Sequence, residues 1–202
     1  MKIIGLCGGS GSGKGTVCKI FSEFGIPSVD TDVVYRELTS SPGDCLIALA
    51  NEFGSEIITE RGALNRKLLA QLVFSGENSS ERLSRLNEIS HKFILDETRR
   101  RLQEFKKSGV PFALVDAPAL FESGFDRECD GVVCVVADRE KRVERIMSRD
   151  SLTRDEAEAR ISAQVSDAEL ISLSDYVIHN DSDVSALTDE IKAILHKILD
   201  NN

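Results

Sequence analysis

Residues 8–16 read Gly8-Gly9-Ser10-Gly11-Ser12-Gly13-Lys14-Gly15-Thr16, with an apolar run before them and the helical pattern Val17, Ile20, Phe21, Phe24 after. The spacing G-x-x-x-x-G-K in a strand-loop-helix setting is that of a phosphate loop. Glycines let the backbone curl until successive N–H groups over Gly11, Ser12, Gly13, Lys14, Gly15 and Thr16 face one anion, and the start of the helix adds its partial positive charge. Lys14 then reaches the β- and γ-phosphates of a nucleotide such as ATP. A dinucleotide-binding fingerprint is the rival, because Asp30 ends the next apolar run, but Lys14 stands where that motif needs its last glycine or alanine. A plain glycine-rich turn is the third reading. Gly15 occupies the position where Ser or Thr normally ligates Mg²⁺, and a hydroxyl appears one residue later at Thr16.

A second group follows at Asp30-Thr31-Asp32-Val33-Val34-Tyr35-Arg36. In a parallel sheet this segment emerges on the edge that carries the phosphate loop. A carboxylate there can accept or orient the proton of an attacking hydroxyl while cations stabilise a largely dissociative transfer. The alternative is that Asp32 caps the next helix and Asp30 accepts loop N–H groups. Positive charge gathers further on, where Arg139, Arg142, Arg145 and Arg149, with Lys141 beside them, fall on one helical face by steps of three, three and four. We read this stripe as a lid closing on ATP and the moving phosphoryl group, with Arg145 and Arg149 as its catalytic members. A solvated face paired with Glu140 and Glu144 is the other reading. Asp116 ends an apolar run, as an acid acting on Mg²⁺ or its waters would, or as a simple loop acceptor. Arg99-Arg100-Arg101 with Lys106 and Lys107 reads as a solvated helix face, with a contact to a substrate phosphate as the other reading.

These groups need a scaffold. Short β-branched runs at 3–7, 26–29, 112–116, 131–137 and 176–179 alternate with helical stretches, which predicts a five-stranded parallel α/β sheet flanked by helices. The interval of about 32–108 lacks a strand and is too long for an ordinary crossover. Leu46, Leu49, Ala50 and Phe53, then Leu83, Leu86, Phe93 and Ile94, recur at helical spacing in it, so it reads as a helical insert. Thr153 and Glu156 have capping-box spacing and predict a helix running to about Ala168, within a helical lid at about 139–168. Leu187, Ile191, Ile194, Leu195 and Ile198 make one apolar stripe on a last helix. The expectation is a single domain with two helical excursions.

Composition narrows the function classes. The 202 residues carry 25 Lys and Arg against 34 Asp and Glu, a net charge of −9, which disfavours nucleic acid and anionic membranes as partners. A small anion can still bind where the basic side chains are gathered. No apolar run has the length of a membrane span, and Met1-Lys2-Ile3-Ile4-Gly5 leads into glycines instead of a signal region. The five cysteines, Cys7, Cys18, Cys45, Cys129 and Cys134, form no C-x-x-C pair and read as reduced, mostly buried thiols. A cytoplasmic protein, monomeric rather than oligomeric, is expected.

The chain resembles the dephospho-coenzyme A kinase family over nearly its whole length. The family's Gly-Gly-x-Gly-Ser-Gly-Lys loop is matched by Gly8 to Lys14, and its Asp-x-Asp followed by Arg by Asp30, Asp32 and Arg36. Leu86-Asn87-Glu88-Ile89-Ser90-His91 is similar to its Leu-Asn-x-Ile-x-His segment, and Asp116-Ala117-Pro118-Ala119-Leu120-Phe121-Glu122 to its Pro-Leu-Leu-Phe-Glu stretch. Arg149-Asp150, Thr153, Arg160-Ile161 and Gln164 resemble its lid, and Ser174-Asp175-Tyr176-Val177-Ile178-His179-Asn180 its Ala-Asp-x-Val-Ile-x-Asn. Gly15 for Ser, Lys92 for Pro and Ala119 for Leu are departures. The resemblance implies a P-loop kinase fold and transfer of the ATP γ-phosphate to the ribose 3′-hydroxyl of dephospho-coenzyme A. It implies that Asp32 contacts that hydroxyl as the base and that the helical insert forms much of the coenzyme-binding surface. Asp30, Asp32, Arg36 and His91 are the candidate acceptor-binding residues, and Thr16, Asp116 or waters alone are left to hold Mg²⁺. An adenylate-type kinase shares Gly-Lys-Gly-Thr and a residue placed like Arg36, but would read Thr-Gly-Asp where this chain has Asp30-Thr31-Asp32. A nucleotide-dependent binding switch lacks its guanine signature here.

Overall fold

A computed structural model describes residues 1–200 and turns the five apolar runs into strands β1 (Lys2–Cys7), β2 (Ser28–Asp30), β3 (Phe112–Asp116), β4 (Gly131–Val136) and β5 (Tyr176–His179). The helices are α1 (Lys14–Glu23), α2 (Thr31–Leu38), α3 (Asp44–Phe53), α4 (Arg66–Phe74) and α5 (Ser79–Lys107). They continue with α6 (Arg139–Asp150), α7 (Arg154–Ser162), α8 (Asp167–Ser172) and α9 (Val184–Asp200). The strands form one sheet in the order β2-β3-β1-β4-β5. β1 lies parallel to both neighbours, with Leu6 opposite Asp116 of β3 and Cys7 opposite Cys134 of β4. All six residues of β4 are buried, the continuous apolar run expected of a strand covered on both faces.

By packing, the chain divides into two compact units, Met1–Val29 with Phe105–Asn202, and Asp30–Glu104. In the first, Val17, Ile20 and Phe21 of α1 and Leu187, Ile191, Ile194 and Ile198 of α9 share a buried cluster with Ile4, Leu6, Leu114, Val133, Val135 and Ile178 of the sheet. Val143 and Ile146 of α6 pack on Ala157 and Ile161 of α7 in a smaller cluster. The second unit is helical around Cys45, Leu46, Leu49, Ile57, Leu64, Leu69 and Val73, with Ala50, Phe53, Leu83, Leu86 and Phe93 against them.

Two boundaries differ from expectation by more than one residue. Strand β2 begins at Ser28 rather than Ile26, beyond Pro27, which has no N–H to give a ladder. The helix opened by Thr153 has its full capping box but ends at Ser162 instead of about Ala168. Beyond it Gln164 turns its side chain onto Ser10, and Ser166 starts a new helix by accepting the N–H of Glu169 at 3.2 Å. The spacing Ser166-x-x-Glu169 is a second helix-start signal inside the same polar stretch.

Candidate active site

The phosphate loop leaves β1 at the middle of the sheet. The chain departs from β1 toward the β2 edge and from β4 toward the β5 edge, so the carboxyl end of β1 is a topological switch point, where ligands of open α/β sheets bind. For the loop N–H groups to converge on an anion, its carbonyls must turn outward, and buried carbonyls need donors. Each carbonyl from Gly8 to Gly13 has one. Gly8 accepts from Lys14 Nζ at 2.8 Å and Gly9 from the Ser12 N–H at 3.2 Å. Ser10 accepts from Arg142 Nε at 2.9 Å and Gly11 from Arg145 Nη1 at 3.1 Å. Ser12 accepts from Asn180 Nδ2 at 2.7 Å, and Gly13 from the Thr16 N–H at 2.9 Å. Gly13 is the N-cap of α1 with φ 93°, and a Cβ there would stand 2.0 Å from Asn180 Nδ2, so only glycine fits both the turn and the neighbour.

The structure separates the two arginines assigned to catalysis. Arg145 is bound by backbone: besides Gly11, its Nη2 donates to the Asn180 carbonyl at 2.9 Å. The outward carbonyls of the loop face α6 and take up this guanidinium. Arg149, one turn further along in the last turn of α6, is 59% exposed and pairs with Asp150, which Arg160 also contacts at 2.6 Å. Two guanidinium groups on one carboxylate leave net positive charge, and hydrogen bonding to Arg149 holds the Asp150 carboxyl below its ordinary range. Glu140, expected beside the arginine stripe, pairs instead with Arg154. The Cys7 thiol, just before the loop, is drawn down to about 7, first by a hydrogen bond from Cys134 and further by Lys14, whereas Cys134 is pushed up.

Thr16 lies exposed in the first turn of α1, and Asp116 ends β3 with Cys18 Sγ donating to its Oδ2 at 3.8 Å. Among the described residues no group of three or more His, Cys, Asp or Glu could hold a metal ion. One hydroxyl and one carboxylate suit Mg²⁺ that arrives on nucleotide phosphates and keeps several waters, and do not suit an all-protein cage. At Gly15 a Cβ would meet nothing within 4 Å, so the departure there has no steric cause.

In the second unit, Asp30 caps α2, its Oδ1 accepting the N–H groups of Asp32 at 2.9 Å and Val33 at 3.1 Å. Asp32 and Arg36 are exposed one helical turn apart on α2, so they share a face. Arg66 stacks over the Tyr35 ring at 5.3 Å and donates to Thr39, and His91 lies half-buried on α5. The basic cluster on α5 is paired: Arg99 with Asp96, Arg100 with Glu97 and Glu104, Arg101 with Glu97 and Glu37.

Asn180 and Gln164, which hold Ser12 and Ser10, were not among the candidate site residues. The signal for Asn180 was the loop's own run of outward carbonyls, which requires donors from elsewhere in the chain, whereas Gln164 meets the N–H and the hydroxyl of Ser10.

A five-stranded parallel sheet in this order, with a Gly-Lys phosphate loop after its central strand and helices around it, defines a P-loop kinase. The family model for dephospho-CoA kinase matches residues 2–186, and the chain belongs to that family. It is 35% identical to the dephospho-CoA kinase of Carboxydothermus hydrogenoformans over 197 residues, 98% of this chain and 94% of that one. Identity to the Corynebacterium glutamicum dephospho-CoA kinase is 38% over 196 residues, 97% of this chain and 96% of the other. A Thermus thermophilus crystal structure superposes with a TM-score of 0.78 at 32% identity, covering 97% of each chain.

Proposed function

We propose that this chain transfers the γ-phosphoryl group of ATP to the ribose 3′-hydroxyl of dephospho-coenzyme A, giving coenzyme A and ADP. The family match over residues 2–186 carries the reading, and an intact phosphate loop with Lys14 at the head of α1 supports it. The 3′-oxygen attacks the γ-phosphorus, the bond to the β-phosphate oxygen breaks, and Asp32 takes the hydroxyl proton. Lys14 and the loop N–H groups hold the phosphates, and Arg149 meets charge that builds on the transferred group. Asp30, Arg36 and His91 belong to the acceptor side. When bound, Mg²⁺ neutralises phosphate charge, and Thr16 and Asp116 would hold it directly or through water. The protein acts as a cytoplasmic monomer on these two small molecules, without nucleic acid or membrane.

Incubation with Mg-ATP and either dephospho-coenzyme A or AMP, followed by mass analysis of products, tests this reading. Coenzyme A and ADP should form only with the first acceptor. Phosphorylation of AMP alone would overturn it.

A further inference from the structure

Arg142 is 4% exposed, and a buried guanidinium is tolerated only when its charge and its donors are met. Its Nη1 donates to both carboxylate oxygens of Asp167, at 2.7 and 2.8 Å, and its Nε donates to the Ser10 carbonyl. Nη2 lies 2.2 Å from where a Cβ of Gly9 would be, so glycine at that position makes room for it. Ser10 is held from a second side by Gln164, whose Oε1 accepts the Ser10 N–H at 2.8 Å and whose Nε2 donates to Ser10 Oγ at 3.1 Å. The N–H, the carbonyl and the hydroxyl of one loop residue are therefore all committed to side chains from the segment 142–167.

We propose that Arg142, oriented by Asp167, and Gln164 form a clamp on Ser10 that fixes the curl of the phosphate loop, acting as positioning residues for ATP. Within the loop Lys14 ties down the Gly8 carbonyl, while the turn at Ser10 is held by side chains from outside it. Its five glycines at 8, 9, 11, 13 and 15 leave the free backbone with many conformations besides the one in which N–H groups converge. The clamp removes those alternatives before nucleotide arrives, and preorganisation of this kind appears as affinity for the phosphates. Gln164 is exposed yet makes two hydrogen bonds to the same residue, an ordering that surface glutamines have little reason to adopt without a task. The guanidinium fork supplies one donor to the loop and another to the carboxylate in a fixed plane, which a lysine cannot reproduce.

The proposal rests on ATP as the ligand of this loop, so binding is measured apart from turnover. Arg142→Met, Arg142→Lys and Gln164→Ala are compared with the unaltered chain for Kd of a fluorescent ATP analogue without acceptor, KM for ATP, KM for dephospho-coenzyme A, and thermal midpoint. Arg142→Met should weaken ATP binding and raise its KM by about tenfold or more, the scale of one charge-assisted hydrogen bond, with KM for dephospho-coenzyme A changed less than about twofold. Arg142→Lys should not restore it. Gln164→Ala should weaken ATP binding by about threefold or more with no change in thermal midpoint. The double variant should fall short of the product of the two, because both act through Ser10. Unchanged ATP affinity in folded Arg142→Met overturns the clamp, and should that variant not fold, unchanged affinity in Gln164→Ala overturns it alone. If the unaltered chain binds ATP but does not phosphorylate dephospho-coenzyme A, the acceptor assignment fails and the binding arm still decides the clamp.

Discussion

Replacing Gly13 by alanine tests whether the loop is shaped by its neighbours or by its own turn. Two costs are readable. A non-glycine residue at φ 93° is in left-handed backbone, which costs about 1–2 kcal/mol. The new Cβ would also stand 2.0 Å from Asn180 Nδ2, so the buried amide must move and its 2.7 Å hydrogen bond to Ser12 is lost. That adds about 0.5–1.5 kcal/mol, toward the low end if Arg145 Nη1, 3.4 Å from the same oxygen, closes on it. The sum is about 1.5–3.5 kcal/mol. Urea unfolding of the unaltered chain, Gly13→Ala, Asn180→Ala and the double variant separates the parts. In the Asn180→Ala background nothing is left to displace, and Gly13→Ala should cost only its backbone part. The coupling between the two sites should then be about 0.5–1.5 kcal/mol. An equal cost of Gly13→Ala in both backgrounds would refute the reasoning, because Asn180 would then not be what confines the loop.

Arg149→Ala should lower kcat by about 10²–10³, the loss typical of one group that stabilises transition-state charge, with little change in thermal midpoint because its ion pair is exposed. An unchanged kcat removes it from the mechanism. Gly15→Ser should stabilise the chain by about 0.5 kcal/mol, since serine is the better helix former and the added Cβ meets nothing, and should lower the Mg²⁺ concentration needed for half-maximal rate. A loss of stability, or an unaltered Mg²⁺ dependence, contradicts it. Hydrogen bonding to Arg100, then Arg101, holds Glu97 at about 2, well below the ordinary value of 4.5. The folded state therefore binds this proton less readily than the unfolded chain, and the stabilisation is complete above pH 4.5 and lost as pH falls toward 2. Glu97→Gln should be less stable than the unaltered chain at pH 7, with the difference reduced to a small remainder by pH 2, as read from urea midpoints.

Much of the scaffold could be read directly because its physics is local. The strands announced themselves as β-branched runs between helices, the stripe from Leu187 to Ile198 had one apolar face to bury, and Thr153 with Glu156 makes the capping box its spacing implies. The helix end at Ser162 was harder, because Ser166 signals a new helix only if Gln164 is known to be occupied elsewhere. At the site, the glycines and Lys14 were legible as a motif, but the partners of the loop carbonyls were not. Arg142 and Arg145 lie on the same stripe as Arg149 and have the same charge, and nothing in their spacing distinguishes a guanidinium turned to backbone oxygens from one left in solvent. Asp30 likewise offers the same carboxylate to a cap or to a ligand, and its cap became visible only through the N–H groups of Asp32 and Val33.

The donors that complete the phosphate loop lie far along the chain: Arg142 is 132 residues from Ser10, Arg145 is 134 from Gly11, and Asn180 is 168 from Ser12. A ribosome making this protein releases the glycine-rich segment first and the last of its supports only when residue 180 has left the exit tunnel. Until then the loop's outer carbonyls are solvated, and closing so long a stretch of chain is entropically late. The nascent protein therefore carries a recognisable nucleotide motif for most of its synthesis without a nucleotide site. A fragment ended before Asn180 should fail to capture ATP, although the whole motif from Gly8 to Thr16 is present in it.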